Sequence, residues 1–307
     1  MIESNTALLY QLEPVVAANL QRHLAAAHPW LPHDYVPWSR GRDFAFLGGQ
    51  DWTPEDSPLD PVAKAALTVN LLTEDNLPSY HREIATRFGR DGAWGTWVGQ
   101  WTAEEGRHSI ALRDYLVVTR GVDPVALESM RMAHTVAGYD SGDKTPLQAL
   151  AYVTLQELAT RISHRNTGRG SGCPLADQLL SRIALDENLH MLFYRNVMSA
   201  ALDIDPDASI RAIRDEVLGF AMPGSGMPEF EKNALTMAKA GIYDLRIHHD
   251  DVLIPVLRYW KVFDRTDFSA EGDKAREEID GFLAALDERA RFYEEKAAAR
   301  MALAAAR

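Results

Sequence analysis

Glu105-Gly106-Arg107-His108 is the stretch of sequence that decides the fold, because the same Glu-x-x-His spacing returns at Glu187-Asn188-Leu189-His190. Each motif also has a glutamate upstream at nearly the same distance. Glu74 lies 31 residues before Glu105, and Glu157 lies 30 residues before Glu187. One glutamate followed by a Glu-x-x-His motif therefore occurs twice, with matched spacing.

This spacing fits one helix, a short turn and an antiparallel neighbouring helix. Residues three apart share a helix face, so the glutamate and the histidine of each motif project together toward the upstream glutamate. Two such hairpins predict an all-α fold with a four-helix bundle core. One glutamate from each of two helices, with Glu-x-x-His from each of the other two, is the ligand set of ferritin-like di-iron and di-manganese proteins. The predicted metal ligands are Glu74, Glu105, His108, Glu157, Glu187 and His190.

The charge and the helical phase of these residues support a metal centre. Four carboxylates balance two divalent cations, whereas four buried acids without a cation would be strongly destabilising. Glu105 and His108 continue an apolar helix face, and Glu187 and His190 do the same on their own helix. The alternative is that the glutamates are surface charges and the histidines are hydrogen-bonded core residues. The matched spacing in the two halves favours the metal centre.

A second acid directly precedes each motif, as Glu104 and Asp186. Metal-bound imidazoles commonly donate their other N–H to a carboxylate, so either acid is a candidate to orient a ligand histidine. For Glu104, a solvated helix charge is an equal alternative.

The rest of the chain has helical rather than strand spacing. Residues 30–60, which are rich in Pro, Gly, Trp and Asp, are expected to form an irregular cover segment, and residues 166–172 are expected to form a loop. Further helical patterns run roughly over 61–88, 124–138, 146–166, 174–202, 208–221, 229–242 and 250–260.

We expect one ferritin-like domain over residues 1–307, with additional helices around its core. The tail from residue 271 is rich in Ala, Glu, Arg and Lys, which predicts a solvated helix or helical hairpin that frays at its end. The expected parts are an N-terminal helix and cover segment (1–60), a metal-binding four-helix core (61–202), additional helices (203–270) and the helical C-terminal tail (271–307).

The composition argues against several classes of protein. With 46% hydrophobic residues, the 307-residue chain is globular rather than disordered. A formal net charge of −12 argues against nucleic acid or an anionic membrane as a partner, because such binders need a basic face. Cys173 is the only cysteine, so no internal disulfide can form, and a cytoplasmic location is expected. No apolar run approaches the roughly 18 residues of a membrane span, and the first residues lack a signal-peptide pattern.

Segments around the predicted ligands also carry a family resemblance. They are Trp30-Leu31-Pro32-His33-Asp34-Tyr35, Thr73-Glu74-Asp75-Asn76-Leu77-Pro78-Ser79-Tyr80, Trp101-Thr102-Ala103-Glu104-Glu105-Gly106-Arg107-His108, Gln156-Glu157-Leu158-Ala159-Thr160 with Ile162-Ser163-His164-Arg165-Asn166-Thr167, and Asp186-Glu187-Asn188-Leu189-His190. Together they resemble the soluble acyl-acyl-carrier-protein desaturases, above all the mycobacterial branch, and the similarity extends over most of the chain. All six metal positions of that family are present.

The resemblance implies a homodimeric, mostly helical oxidoreductase with a di-iron centre, O2 as the oxidant and electrons from a ferredoxin or a similar donor. Two iron ions per chain are expected, with manganese as an alternative because carboxylate-rich sites suit both metals. The implied substrate is a fatty acyl chain on acyl carrier protein, which receives a cis double bond. Arg161, Arg165 and Arg169 are a candidate docking patch for that acidic carrier, although an ordinary solvated face explains them equally well.

The resemblance also gives roles to three residues near the centre. In the family, the Asp matching Asp186 hydrogen-bonds the His matching His108, and a Trp matching Trp30 lies on the proposed electron route to that pair. A Thr matching Thr160 lines the oxygen-binding side. Without the resemblance, the alternatives are that Trp30 is a core residue and that Thr160 is a helix residue bonded to its own preceding turn.

Three other kinds of protein share the ligand pattern. A ribonucleotide reductase small subunit usually has a radical tyrosine one turn after the first motif histidine, where this chain has Leu112. A di-iron hydroxylase would insert oxygen into the acyl chain, which the ligand set does not exclude. A non-catalytic ferritin-like iron-binding protein needs a shorter chain than this one. The mass of the acyl product separates a hydroxylase from a desaturase, and the iron stoichiometry tests the non-catalytic iron-binding protein.

Overall fold

The structure, a computed structural model, describes residues 2–305 except 223, 225, 226 and 228. The described residues form helices and no β-strand, which confirms the predicted all-α fold. Among the helices of this part of the chain, none is long and apolar enough to cross a membrane. In chain order the helices are α1 (Ile2–Ala26), α2 (Pro61–Asp75), α3 (Leu77–Phe88), α4 (Gly92–Val118), α5 (Pro124–Ala137), α6 (Pro146–Gly170), α7 (Pro174–Ile204), α8 (Pro206–Gly219), α9 (Phe230–Lys239), α10 (Leu245–Ile247), α11 (Ile254–Tyr259) and α12 (Ala270–Ala305), with a π-helical turn (His248–Leu253) joining α10 to α11.

Helices α2, α4, α6 and α7 form the predicted four-helix core. Helix α6 packs along α7 and α2 along α4, and contacts between α2 and α6 and between α4 and α7 close the bundle. The sequence fixes where these helices begin. Asp60 accepts hydrogen bonds from the backbone N–H groups of Val62 and Ala63, and Thr145 and Gln148 form a capping box at the start of α6. Proline occupies the first turn of α2, α6 and α7, where no N–H is needed.

The remaining helices surround this core. Helix α1 packs on α4 and α7, α3 on α4, α5 and α9 on α2, and α8 on α6. Between α1 and α2 the chain forms only short 3-10 turns, at Pro32–Asp34, Trp38–Arg40, Ala45–Leu47 and Pro54–Asp56. The irregular cover segment therefore has the character that its composition predicts.

The single helical pattern expected over 61–88 is wrong, because the chain breaks between α2 and α3. Asn76 leaves the helical conformation, with φ −83° and ψ 12°. Pro78 in the first turn of α3 has no N–H to donate to the carbonyl four residues earlier, which is that of Glu74. Glu74 therefore lies in the last turn of α2, directly before the break.

The loop expected over 166–172 is also wrong, since α6 continues to Gly170. Gly168 lies in the helix against α7, where an added Cβ would be 2.8 Å from Oδ1 of Asp177 and 3.3 Å from Cβ of Leu180. This glycine allows two helices to approach closely and does not form a turn. The turn uses Gly172 instead, whose φ is 64°.

The C-terminal tail is one helix, α12, but it is not solvated on all sides as expected. A stripe of apolar residues at steps of three and four packs toward α8. Many charged residues lie between these positions, so the composition of the tail alone does not indicate an apolar stripe. The buried members are Ala275, Ile279, Leu283, Leu286 and Ala290.

We predict that α12 contributes to the stability of the whole fold. Ile279 is fully buried, so Ile279→Ala should lower the free energy of unfolding by about 2–4 kcal/mol through lost packing and a residual cavity. Urea unfolding followed by circular dichroism measures the change. Tyr293→Ala, on the same helix but 54% exposed, is the matched control. An equally small effect of both substitutions would contradict the packing role.

Candidate metal centre

The six predicted ligands converge in the interior of the four-helix core. None of these residues is more than 7% exposed, and both histidines are fully buried. Helix α2 contributes one ligand, α6 contributes one, and α4 and α7 each contribute a Glu-x-x-His pair. In that order the residues are Glu74, Glu157, Glu105 with His108, and Glu187 with His190.

The ligand atoms form two overlapping groups. One oxygen or nitrogen from each of Glu74, Glu105, His108 and Glu187 lies within 4.8 Å of the others. The same holds for Glu105, Glu157, Glu187 and His190. Glu105 and Glu187 belong to both groups. The two groups would therefore hold two cations, with Glu105 and Glu187 shared between the groups and one further glutamate and one histidine in each.

Both imidazoles direct Nδ1 toward the carboxylates. His108 Nδ1 is 3.3 Å from Glu187 Oε1 and 3.5 Å from Glu74 Oε2. His190 Nδ1 is 2.8 Å from Glu105 Oε1 and 3.6 Å from Oε2 of Glu157. In both rings Nε2 faces outward to a further carboxylate. Because Nε2 carries the proton in that arrangement, Nδ1 keeps a lone pair for a cation.

Unpaired polar atoms show that the residues fit cations. Among the described residues, neither oxygen of Glu187 forms a hydrogen bond of normal geometry, and neither does Oε2 of Glu157. The inward Nδ1 atoms of His108 and His190 likewise form none. Buried lone pairs that converge without donors are costly, and a bound cation removes that cost.

The electrostatics of the centre follow from burial and crowding. Burial, with the charges of Glu187 and Glu105, raises the pKa of Glu157 well above its usual range. Burial and the Glu187 charge also raise the pKa of Glu74, but the adjacent imidazoles of two histidines outweigh them and lower it. One of these is His164 of α6, whose Nε2 is 2.7 Å from Glu74 Oε1. The two terminal glutamates therefore have different surroundings.

Asp186 supports His108 from outside, as the resemblance implies. Oδ2 of Asp186 is 3.4 Å from His108 Nε2 and accepts a 2.7 Å hydrogen bond from Trp30 Nε1. Arg107 donates to the same oxygen at 3.2 Å, and Arg182 donates to Oδ1. Burial raises the pKa of this carboxyl, but the hydrogen bonds from His108 and Trp30 hold it below the usual range.

Glu104 supports His190 in the same way. Its Oε2 is 2.8 Å from His190 Nε2 and 2.9 Å from Nε2 of His23. With 5% of its surface exposed, Glu104 is not a solvated helix charge. Sequence reasoning missed His23, which lies on α1, outside the repeated motif. The helical spacing of α1 offered one signal for it. Leu20 and His23 continue the buried stripe of this helix, whereas the neighbouring Leu24 is 44% exposed.

Two cavities adjoin the centre, and both are lined by Thr73 and Glu74. The first cavity is lined by Glu105, by aromatic side chains that include Trp101 and Tyr152, and by charged residues that include Arg87 and Lys144. The second cavity contains Thr160 in its lining. The hydroxyl of Thr160 donates to the Gln156 carbonyl at 2.9 Å, so it is bonded to its own preceding turn.

Comparison with known proteins identifies the family of this chain. The model of the family described as "Fatty acid desaturase" matches residues 4–306. The chain belongs to the fatty acid desaturase family. Membership confirms the resemblance seen in the sequence, and it makes this family member an oxidoreductase.

Individual relatives agree with this assignment. This desaturase-family chain is 53% identical to DesA1 of Mycobacterium tuberculosis, provisionally named an acyl-acyl-carrier-protein desaturase, over 89% of this chain and 83% of the relative. It is 30% identical to the chloroplastic stearoyl-acyl-carrier-protein 9-desaturase 5 of Oryza sativa subsp. japonica, over 94% of this chain and 77% of the relative. The X-ray structure of M. tuberculosis DesA2, which carries the same provisional name, superposes with a TM-score of 0.71 at 35% identity, covering 83% of this chain and 95% of the other.

We predict that the two overlapping groups bind two divalent cations that respond differently to substitution. Glu187→Gln removes a charge shared by both groups and should weaken both cations. Glu157→Gln affects one group and should leave the other cation in place. Calorimetric titration of the metal-free chain with Fe²⁺ under anaerobic conditions, with metal analysis of the product, measures both effects.

The control for this titration is Glu231→Gln, which removes an exposed carboxylate far from the centre in sequence. It should bind as the unchanged chain does. Equal losses for Glu187→Gln and Glu157→Gln would contradict the division into shared and terminal ligands.

Proposed function

We propose that this chain is an acyl-acyl-carrier-protein desaturase, which introduces a cis double bond into a carrier-bound fatty acyl chain at a di-iron centre. The observation that carries the proposal is the pair of buried ligand groups sharing Glu105 and Glu187, next to a cavity lined by aromatic side chains. The name of the rice relative supports the substrate class.

The overall reaction needs an oxidant and electrons from outside the acyl chain. The acyl chain loses two hydrogen atoms, and O2 with two further electrons and two protons becomes two molecules of water. Two iron ions, when bound, would supply the O2-dependent oxidation that no side chain performs. An electron donor of the ferredoxin type and a homodimeric assembly complete the proposal, and both rest on the resemblance of the sequence.

The protein's own residues position the metal and the substrate. Glu105 and Glu187 would hold both cations, and His108 and His190 would each hold one. Trp101 donates from Nε1 to Glu157 Oε1 at 3.0 Å and also lines the first cavity, so it ties the cavity wall to a ligand. A rigid wall of this kind holds a flexible acyl chain at a fixed distance from the oxidising centre.

We assign the first cavity to the acyl chain and the Trp30–Asp186–His108 chain to electron entry. The ring of Trp30 stacks near that of His108, with centroids 6.3 Å apart and an interplanar angle of 16°. Thr160 lies in the second cavity beside Glu74, which supports a role on the oxygen side of the centre.

The mass of the acyl product tests the proposed reaction. Purified protein loaded with Fe²⁺ is supplied with O2, ferredoxin, its reductase and a panel of acyl-carrier-protein thioesters. We expect a loss of two hydrogens on at least one chain length. A gain of one oxygen would instead identify a hydroxylase. An unchanged mass for every substrate, with iron bound, would contradict an enzymatic role on these substrates and favour an iron-binding protein.

We predict that filling the first cavity strongly lowers turnover and leaves the metal centre intact. Ala149 is buried on α6 and lines this cavity, so Ala149→Phe places a ring where the acyl chain would lie. Turnover should fall by about 100-fold, since displacement of the reacting carbons by about 1 Å has an effect of that order. Product mass and iron content are measured on the same sample.

Ala133→Phe adds the same ring at an exposed position of α5 and is the matched control. Full turnover by Ala149→Phe would show that the acyl chain does not use the first cavity.

A further inference from the structure

The two ligand histidines are held by carboxylates in different surroundings. Asp186, behind His108, also contacts two arginines and the indole of Trp30. Glu104, behind His190, is shared instead with a second histidine, His23. The two halves of the repeated motif therefore have the same ligand types, but the carboxylates behind the two histidines have different partners.

His23 is built firmly into this position although it comes from α1, outside the four-helix core. Its side chain is 2% exposed and its ring packs edge-on against Trp97, with centroids 5.0 Å apart. It also stacks on the ring of His190, at 5.8 Å and an interplanar angle of 21°. These two ring contacts pack the imidazole in place beside Glu104.

The direction of the hydrogen bonds to Glu104 follows from the orientation of the His190 ring. His190 Nδ1 faces the ligand carboxylates, so Nε2 carries its proton and donates to Glu104 Oε2. The ionised Glu104 oxygen has no proton to give, so His23 must also donate to it, through its own Nε2. Gln100 donates to the other oxygen, Oε1, at 2.7 Å. Three donors thus fix the orientation of one carboxylate.

We infer that His23 is a positioning residue for one cation of the centre, the one that His190 and Glu157 would hold. The inference rests on the proposed two-cation centre. By fixing Glu104, His23 keeps the imidazole of His190 at the angle that aims Nδ1 at the cation. It does not touch the cation or the substrate.

The same contacts make the two cation positions inequivalent. Two guanidinium groups offset the charge of Asp186, whereas among the described residues no guanidinium lies within hydrogen-bond distance of Glu104. Arg107 is 3.8 Å from Glu104 Oε1 but 3.2 Å from Asp186 Oδ2. His190 therefore donates to the less compensated carboxylate, which makes it the more strongly donating ligand of the two.

The test compares His23→Ala with the conservative His23→Gln, which keeps an N–H donor. Calorimetric titration with Fe²⁺ gives the two affinities, and Mössbauer spectra of the ⁵⁷Fe-loaded protein give one signal for each iron. We expect His23→Ala to weaken one cation by about 10- to 100-fold and to shift one of the two signals. His23→Gln should restore most of the lost affinity and most of the shifted signal.

Asn19→Ala is the matched control on α1. Asn19 is buried and accepts a 2.9 Å hydrogen bond from Asn196 of α7, so its loss disturbs the packing of α1 without touching Glu104. It should leave both affinities and both signals unchanged.

The outcomes separate this inference from the proposed function. If the unchanged chain binds fewer than two cations, the proposed centre itself fails. If it binds two, and His23→Ala retains both affinities and both signals, the positioning role fails while the centre stands. Equal weakening of both cations by His23→Ala and by Asn19→Ala would show a merely structural effect and would also overturn the inference.

Discussion

The burial of four carboxylates at one point of the bundle is the constraint on which the rest of the structure depends. Each of the two ligand groups brings three buried carboxylates within 4.8 Å of one another, where they repel, and only cations or protons between them relieve that repulsion. The bundle must therefore hold the ligands at a fixed separation while excluding water. The aromatic rings of Trp97 and Trp101, both buried on the α4 face that carries the ligands, provide part of that rigid wall.

Those elements that depend on local spacing were predictable from the sequence. The i, i+3 motifs and their upstream glutamates identify all six residues that converge in the core, because a helix face is set by residue spacing alone. The division into shared and terminal ligands was not predictable, since it depends on which helix faces which across the core. His23 was missed for a similar reason: its contact with Glu104 joins residues 81 positions apart on helices of different layers.

Composition gave a wrong prediction over residues 166–172 because glycine has two structural uses. Glycine both terminates helices and lets them approach closely, and only packing against Asp177 and Leu180 shows that Gly168 has the second use. The α12 stripe was hidden because its apolar residues, such as Ile279, are separated by runs of charge. In each case the missing information was the identity of the neighbouring helix, which a single sequence does not contain.

The centre is asymmetric in more than the surroundings of Asp186 and Glu104. Its two terminal glutamates also have different partners, and the adjoining cavities reach only part of the ligand set. Glu74 is hydrogen-bonded to an imidazole, whereas Glu157 accepts an indole N–H. Of the six ligands, only Glu74 and Glu105 line the two adjoining cavities. Substrate and oxygen would thus approach on the Glu74 face, while the His190 face is sealed by α1 through His23. A repeated motif that gave two equivalent cations would present the same chemistry on both faces. In the proposed centre, the different hydrogen-bond partners of His108 and His190 would give each cation its own ligand field.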